Sequence, residues 1–391
     1  MNVNTGLGIG IVAGLTWALT AATVTGAESE IVIEKEAGAP ATRIAISGYA
    51  GEVDGVLKFD LFVVGFTNVP LDQAQYLLAG SANGSVSGQL TDRFSKAVKL
   101  AKVYSDGALR AQAHALADDV VLALTGKKGI AQTKIAFKMQ TAQGSEIYLA
   151  DYDGYNARQL TQDGLACTPA WMPGRRVLYY TTYKKGFPDI YSYDLASGVI
   201  KVIAAYSGLN ASPALSPDGT RLAMILSKSG SPDVYVADAD GRNPRQLTKT
   251  KEDESSPCWS PDGRTICYVA REGSRPVLYL VSAGGGERRR LRTSGLNATE
   301  PDWSPDGKTI AFTTQSGGAS FTVCTVPAAG GSSESIVPGE NPSWAPNSRT
   351  LIFSRRAKNG RRVLSMLDVP TKQHKDITQI SGSCSEPSWA K

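Results

Sequence analysis

Length, composition and charge narrow the classes of protein to which this sequence can belong. The chain has 391 residues, of which 42% are hydrophobic and 20% charged, a composition typical of globular proteins and a length sufficient for two domains. Lys and Arg outnumber Asp and Glu by 41 to 36, so the net charge of +5 is too small to indicate a nucleic-acid partner. The histidines are His114 and His374 alone, which limits catalytic sites that depend on a histidine base.

Residues 1–27 have the features of a secretory signal peptide. The stretch that starts at Gly6 is apolar, and no charged residue precedes Glu28. We expect cleavage after Ala27, with Ala22 as the alternative, and export of the mature protein. The amino terminus lacks the Lys or Arg that an export signal normally carries, and the apolar stretch is nearly long enough to span a bilayer. A membrane anchor is therefore the competing interpretation.

Residues 28–130 do not repeat, and their patterns predict a small α/β domain. Apolar or alternating runs predict strands at Glu30–Glu34, Thr42–Ser47, Tyr76–Ser81 and Val98–Tyr104. One helix is predicted over Ala108–Thr125, because apolar side chains recur there at helical spacing and Gly126 follows as a C-cap. The stretch between Ile46 and Leu77 shows no clear helical pattern, so we expect no second helix there.

Residues 131–391 are organised around one repeated motif. Five of the six Trp occupy the same position in segments of the form Pro-x-Trp, and a further copy has Leu215 in place of Trp. The Pro residues that begin these segments are 44, 44, 44, 41 and 45 residues apart, at Pro169, Pro213, Pro257, Pro301, Pro342 and Pro387. A period of about 40–45 residues is typical of four-stranded propeller blades.

Each repeat predicts four strands joined by turns. Pro-x-Trp begins an inner strand, Pro-Asp-Gly forms the next turn in several copies, and a brief outer strand such as Arg245–Thr248 ends the unit. We expect each Trp to pack between neighbouring blades. The segment Thr133–Thr161 lacks an inner strand of its own, whereas residues 386–390 form an inner strand that nothing follows. The predicted fold class is therefore mainly β: a six-bladed β-propeller, closed by strand 386–390 and preceded by the small α/β domain.

Several segments carry a more specific signal than the repeats. They are the junction Leu124–Phe137, the segment Ser145–Gln159 with Asp151-Tyr-Asp-Gly-Tyr-Asn156 at its centre, and the strand Glu30–Glu34. Together with the Pro-x-Trp-Ser-Pro-Asp-Gly repeats, they resemble the TolB family, the periplasmic propeller proteins of the Tol–Pal system. The stretch between Ile46 and Leu77 is shorter than the family pattern, so the resemblance implies a shortened N-terminal domain.

The resemblance implies a non-enzymatic docking protein of the periplasm, peripheral to the membrane. Such a protein binds a peptidoglycan-associated lipoprotein and helps to maintain outer-membrane integrity and constriction during cell division. In the family the lipoprotein docks at one mouth of the channel, near the loops that lead into the inner strands. The matching residues are Leu209, Asn210, Ala211, Ser212, Glu254, Ser255, Ser256, Thr299, Glu300, Glu340, Asn341, Ser385 and Glu386.

The family also implies a switch segment that binds an inner-membrane-anchored TolA-like protein. Its matching residues are Glu28, Ser29, Glu30, Ile31, Val32 and Ile33. An edge strand of the small domain is the competing interpretation of this segment.

A propeller-type hydrolase or lyase with a site in the central channel is the alternative function. The sequence contains no Gly-x-Ser-x-Gly motif, and His114, in the predicted helix, and His374, in an outer strand, are not placed for a catalytic triad. The Asp-x-Asp-Gly segments at 151–154 and 238–241 lack the other positions of a calcium loop, so they are interpreted as hairpin turns. We expect no catalytic residue, cofactor or metal.

The cysteines and the basic runs have structural interpretations. An odd number of cysteines leaves at least one thiol unpaired, and we expect buried strand residues at Cys167, Cys258, Cys267, Cys324 and Cys384. The runs Arg288–Arg292 and Arg355–Arg362 are interpreted as solvated strand faces, with contact to an acidic partner as the alternative.

Overall fold

The computed structural model describes residues 38–315 and 320–391. It begins with an α/β domain whose elements are β1 (Thr42–Ser47), α1 (Gly51–Phe62), β2 (Phe66–Asn68), β3 (Tyr76–Ala82), β4 (Val86–Asp92), β5 (Val98–Tyr104) and α2 (Leu109–Thr125). The five strands form one sheet in the order β2-β1-β3-β4-β5. The strand β1 is parallel to β2 and β3, whereas β3, β4 and β5 are antiparallel.

The helix predicted over Ala108–Thr125 is confirmed as α2, and Gly126 caps it in the left-handed conformation with φ 69°. The expectation that no helix lies between Ile46 and Leu77 is wrong, because α1 occupies Gly51–Phe62. Its buried side chains, Val53, Val56, Leu57 and Leu61, do recur at helical spacing. Two glycines in twelve residues and the apolar run that continues into Val63 and Val64 conceal that pattern in the sequence.

Six four-stranded antiparallel sheets follow and form the propeller. Blade 6 contains β6 (Lys134–Thr141), β7 (Gly144–Asp151) and β8 (Arg158–Gln159). Blade 1 contains β9 (Ala166–Trp171), β10 (Val177–Thr182), β11 (Asp189–Asp194) and β12 (Ile200–Ala204). Blade 2 contains β13 (Asn210–Leu215), β14 (Arg221–Leu226), β15 (Asp233–Asp238) and β16 (Arg245–Gln246).

The remaining blades have the same strand order. Blade 3 contains β17 (Glu254–Trp259), β18 (Thr265–Glu272), β19 (Arg275–Ser282) and β20 (Arg289–Arg290). Blade 4 contains β21 (Thr299–Trp303), β22 (Thr309–Gln315), β23 (Phe321–Pro327) and β24 (Glu334–Pro338). Blade 5 contains β25 (Glu340–Trp344), β26 (Thr350–Arg356), β27 (Arg362–Asp368) and β28 (His374–Asp376), and the inner strand of blade 6 is β29 (Ser383–Trp389).

Ring closure occurs as the sequence predicts. The strand β29 is antiparallel to β6, with Trp389 opposite Ile135, so blade 6 is built from both ends of the propeller sequence. The inter-blade role of the Trp side chains is also confirmed. The indole N–H of Trp259 donates to the carbonyl oxygen of Ala214 in the neighbouring blade at 2.9 Å, and that of Trp171 donates to Ser388 at 3.0 Å.

The α/β domain packs against one end of the propeller, beside blades 5 and 6. Thr350 Oγ1 donates to the carbonyl oxygen of Val63 at 3.1 Å, and Gln373 Nε2 donates to Thr67 Oγ1 at 2.9 Å. Both propeller residues lie at hairpin turns on the side that carries the Pro-Asp-Gly turns. A continuous apolar core joins the two parts and includes Leu61 of α1 and Trp389 of β29. The opposite end of the propeller, where the inner strands begin, faces away from this domain.

Candidate functional site

The end of the propeller opposite the α/β domain carries a ring of six residues with unusual backbone geometry. Each directly precedes a repeated Pro and has a φ between 47° and 56°, and together they are Thr168, Ser212, Ser256, Glu300, Asn341 and Glu386. The pairing register shifts within each inner strand at this point, as in a β-bulge. With their prolines these residues line the channel mouth. We call them the mouth ring.

Hydrogen bonds between neighbouring blades hold much of the mouth ring in place. Thr168 N donates to Glu386 Oε2 at 2.8 Å, and Glu386 N donates to Asn341 Oδ1 at 3.3 Å. Asn341 N in turn donates to Glu300 Oε2 at 3.0 Å, and Ser212 N donates to Thr181 Oγ1 of blade 1 at 3.2 Å. Backbone groups that the bulges would otherwise leave unpaired are thereby satisfied, so the mouth is preformed.

The mouth ring has an acidic sector. Burial raises the pKa of Glu300, the negative charges of Glu340 and Glu386 raise it further, and hydrogen bonds from Thr313 and Asn341 oppose these effects. Glu386 is itself ion-paired with Lys138. A partner that brings a positive charge to this sector would therefore gain favourable electrostatic energy.

The thirteen residues predicted to bind the lipoprotein lie at this end of the propeller, but the expectation that they form loops is wrong. Except for Leu209, which directly precedes β13, they all lie within the first four residues of the inner strands. The reason is that each inner strand begins before its bulge and not after it. Ser255 is exposed, whereas Asn210, Glu254, Glu340 and Ser385 are buried. Asn210 caps the preceding loop, with its Oδ1 accepting from Tyr206 N at 2.8 Å.

The structure brings together five of the predicted residues, Ser212, Ser256, Glu300, Asn341 and Glu386, in the mouth ring. Sequence reasoning missed Thr168, the sixth member. The repeat contains the signal for it, because Thr168 precedes Pro169 in the same way that Ser212 precedes Pro213.

The channel below the mouth is lined by the repeated motif. Its volume is about 520 Å³, and its walls are the Pro and Trp side chains of the inner strands together with Ala, Ser, Leu and Cys residues. Its charged lining residues are Asp302 and Lys391, whose side chains form an ion pair at 2.7 Å. Neither His114 nor His374 lies among the residues that line it.

A buried polar cluster joins the α/β domain to the propeller at the opposite end. His114 Nδ1 of α2 lies 2.7 Å from Asp60 Oδ2 of α1, and His114 Nε2 lies 3.4 Å from Asp153 Oδ2 of the β7–β8 turn. Arg110 also pairs with Asp153, and the Tyr152 hydroxyl donates to Asp60. We call these five residues the junction cluster. It gives a structural role to the Asp151–Asn156 segment.

Charge holds the junction cluster together. Burial by itself lowers the pKa of His114, but the hydrogen bond to Asp60 and the charges of Asp60 and Asp153 outweigh it, so the pKa is raised above its ordinary value. Burial also raises the pKa of Asp60, although its hydrogen bonds with His114 and Tyr152 oppose this effect. The His114 ring lies between this carboxylate of the α/β domain and the Asp153 carboxylate of the propeller. Sequence reasoning missed this cluster, and the only signal for it is the unusual Asp-Tyr-Asp-Gly-Tyr-Asn motif.

Three ligand atoms of the junction cluster, from Asp60, His114 and Asp153, lie within 4.8 Å of one another, close enough to suggest a metal site. The geometry argues for ion pairing instead. The two ring nitrogens of His114 face different carboxylates, and the Arg110 guanidinium already occupies Asp153. A cation bound there would be repelled by Arg110 at close range.

The five cysteines are unpaired thiols. Four are buried, including Cys258 and Cys267, which face each other across β17 and β18. The expectation of a buried residue is wrong for Cys167, which is only half-buried. The predicted signal peptide, residues 1–27, and the predicted switch segment, Glu28–Ile33, lie outside the described residues. Within residues 38–315 and 320–391, no helix has the length and apolar character that a membrane crossing requires.

Residues 121–391 match the family model described as TolB beta propeller domain. The chain belongs to the TolB β-propeller family. The Tol-Pal system protein TolB of Dechloromonas aromatica is 33% identical over 157 residues, which cover 36% of this chain and 37% of that relative. TolB of Polaromonas naphthalenivorans is 32% identical over 199 residues, which cover 42% of this chain and 46% of the relative. The chain thus matches less than half the length of these curated relatives.

The crystal structure of TolB from Acinetobacter baumannii provides the structural counterpart. It superposes with a TM-score of 0.82 at 25% identity and covers 90% of this chain and 98% of that protein. The shortened N-terminal domain stays a prediction.

Proposed function

We propose that this protein is a non-enzymatic docking component of the Tol–Pal system, exported to the periplasm, and that the mouth ring binds a peptidoglycan-associated lipoprotein. The observation that carries the proposal is the preformed, partly acidic ring at the end of the propeller that the α/β domain leaves open. Preorganised backbone at a concave site lowers the free-energy cost of binding a folded partner. The names of the relatives, Tol-Pal system protein TolB, supply the class of partner.

The central channel favours docking over the alternative of a hydrolase or lyase. Its two charged lining side chains, Asp302 and Lys391, are ion-paired with each other, and the remaining lining consists of Pro, Trp and small residues. General acid–base chemistry needs a proton donor or acceptor directed at a substrate, whereas Asp302 and Lys391 bind each other.

Replacing a small side chain of the mouth ring with the large, positively charged side chain of arginine tests the proposed docking site. Ser256→Arg and Ser212→Arg place a long side chain at the mouth, where Glu300 and Glu386 show that the backbone position accepts one. We expect binding to the lipoprotein from the same organism, measured by calorimetry, to weaken by about tenfold or more, since a few central residues dominate such interfaces.

The matched control is Thr220→Arg in the Pro-Asp-Gly turn of blade 2, on the opposite end. The corresponding turn positions in blades 3 and 4 are Arg264 and Lys308, so the fold tolerates a cation there. This variant should bind the lipoprotein like the wild type. Loss of binding in Thr220→Arg with normal binding in Ser256→Arg would place the docking site at the other end.

The segment Glu28–Ile33 is proposed to bind an inner-membrane-anchored TolA-like protein. The proposal rests on the resemblance of this segment to the family alone. Deleting Glu28–Gly38 should abolish binding to the periplasmic part of such a partner while leaving lipoprotein binding unchanged. Retained binding of both partners would refute it.

A further inference from the structure

The outer strand of blade 3 differs from those of blades 6 and 2: it reads Arg289-Arg-Leu-Arg292, whereas the other two read Arg-Gln-Leu-Thr. Leu160, Leu247 and Leu291 are equivalent, since their backbone N–H groups each donate to the third strand of their blade at 2.8 Å. The next residue is a buried Thr in blades 6 and 2, where Thr161 and Thr248 bond to buried glutamates. In blade 3 this residue is Arg292, which is exposed. Arg292 therefore takes no part in the buried contacts that Thr161 and Thr248 make in their blades.

A groove lies beside this strand, between blades 3 and 4. One wall carries Arg289, Arg290 and Arg292, and the other is the turn 329–332 between β23 and β24. The chain after β20 is fastened to that turn, because Gly331 N donates to the carbonyl oxygen of Arg292 at 3.3 Å and Ser333 N donates to Ser294 Oγ at 2.9 Å. The volume of the groove is about 990 Å³, at the upper end of the range for ligand sites.

The groove carries positive charge that the protein neutralises only in part. Its lining contains three arginines and no acidic residue. Arg290 pairs with Glu272 at 3.3 Å, and Arg289 donates only to the carbonyl oxygen of Ala329 at 3.4 Å. The Arg292 guanidinium makes no hydrogen bond or ion pair with any residue of the described chain. A guanidinium presents five donors in a plane and favours bidentate contact with carboxylates and phosphates.

Two features distinguish between these anions. Arg290 and Arg292 are both exposed, on either side of the buried Leu291, and alternate residues of an extended chain are about 6.6–6.8 Å apart. Alternate residues of an extended peptide have the same spacing. The turn supplies no backbone nest for phosphate at Gly330, Gly331 and Ser333, because their N–H groups already donate within the protein.

We propose that this groove binds an extended acidic peptide segment of a partner protein, with acidic side chains at alternate positions contacting Arg290 and Arg292. The groove shares no residue with the mouth ring. The protein would therefore have a second docking surface, on the outer rim of blades 3 and 4, that a partner can occupy while the channel mouth is also engaged.

Binding of synthetic peptides to the full chain tests this proposal. The probe is a labelled peptide in which Glu alternates with Ser, and the comparison peptide has the same composition with its glutamates contiguous. We expect the alternating peptide to bind more tightly. The double variant Arg290→Gln/Arg292→Gln should bind the alternating peptide roughly fivefold or more weakly than the wild type at low salt. The affinity of Arg292→Lys should lie between those of the wild type and the double variant.

The matched control is Arg175→Gln/Arg176→Gln, which removes the same charge from an exposed turn of blade 1. It should bind the alternating peptide like the wild type. Equal weakening in both double variants, equal affinity for the two peptides, or no binding of either would overturn the proposal. Displacement of the peptide by millimolar inorganic phosphate would overturn the proposal of a peptide site and indicate a phosphate site instead. Lipoprotein binding should be normal in the groove variant, so this test is independent of the mouth ring.

Discussion

The two ends of the propeller are built from the same repeats, but the α/β domain covers one end and leaves the other open. At the end covered by the α/β domain, the Asp153 carboxylate is buried and meets Arg110 and His114. In blade 2 the equivalent turn residue, Asp240, is half exposed and pairs only with neighbouring Arg242. At the open end the mouth ring leaves its side chains around an accessible channel. The difference shows that the repeat determines the backbone conformation of a position. The elements packed against that position determine whether its side chain stabilises the fold or is available for binding.

The strand β29 belongs to both ends, and its removal should have the largest effect. Glu386 takes part in the mouth ring, and Trp389 is 1% exposed in the core shared with the α/β domain. Deleting residues 386–391 unpairs β6 and exposes that core, so we expect aggregation or a fall in melting temperature of more than about 10 °C. Deleting Lys391 alone is the control. A truncated protein that melts like the wild type would contradict the shared blade.

Equivalent turn substitutions test the covered end directly. Asp153→Asn removes the buried carboxylate that faces Arg110 and His114. We expect unfolding free energy to fall by about 3 kcal/mol, measured by urea denaturation. Asp240→Asn changes the same turn position in blade 2, where no domain covers it, and should cost less than about 0.5 kcal/mol. Equal effects at the two positions would mean that the junction cluster adds nothing to ordinary turn chemistry.

The pH dependence of stability should distinguish the junction cluster from the rest of the molecule. The pKa of His114 is raised in the folded protein above its ordinary value of 6.5, so folding favours the protonated form. Its stabilising contribution is complete below pH 6.5 and is lost as the pH rises through the raised value.

The charged groups that face His114 are Asp60, Arg110, Asp118 and Asp153. Comparison of the wild type with His114→Gln by urea denaturation should show the largest stability difference near pH 6 and a smaller one at alkaline pH. A difference that is independent of pH would show that the imidazolium charge makes no contribution.

The open end should tolerate change with the smallest loss of stability. Ser256→Arg adds a cation beside the acidic sector formed by Glu300 and Glu386, at a left-handed position that already holds a non-glycine residue. We expect its melting temperature to lie within about 2 °C of the wild type. A large decrease would mean that the mouth ring serves the fold rather than a partner.

Much of the fold was predictable from the sequence. Pro-x-Trp segments at a period of about forty-four residues predicted six blades, and the displaced copy at 387–389 predicted the shared blade. The helix α1 was missed because Gly51 and Gly55 lower helix propensity while its apolar side continues into a strand-like run. The mouth ring was located in part, since the repeat marks the residue before each Pro, but its left-handed backbone and strand character were not foreseen.

The sequence by itself determined the architecture of the propeller and its closure, because both follow from short patterns repeated at a fixed interval. Tertiary structure alone decided the junction cluster and the basic groove. Asp60 and His114 are 54 residues apart, and the turn that faces Arg292 belongs to the next blade. Contacts of this kind depend on which surfaces the folded chain brings together. Local patterns describe how a segment folds, and they carry little information about the segment it will face.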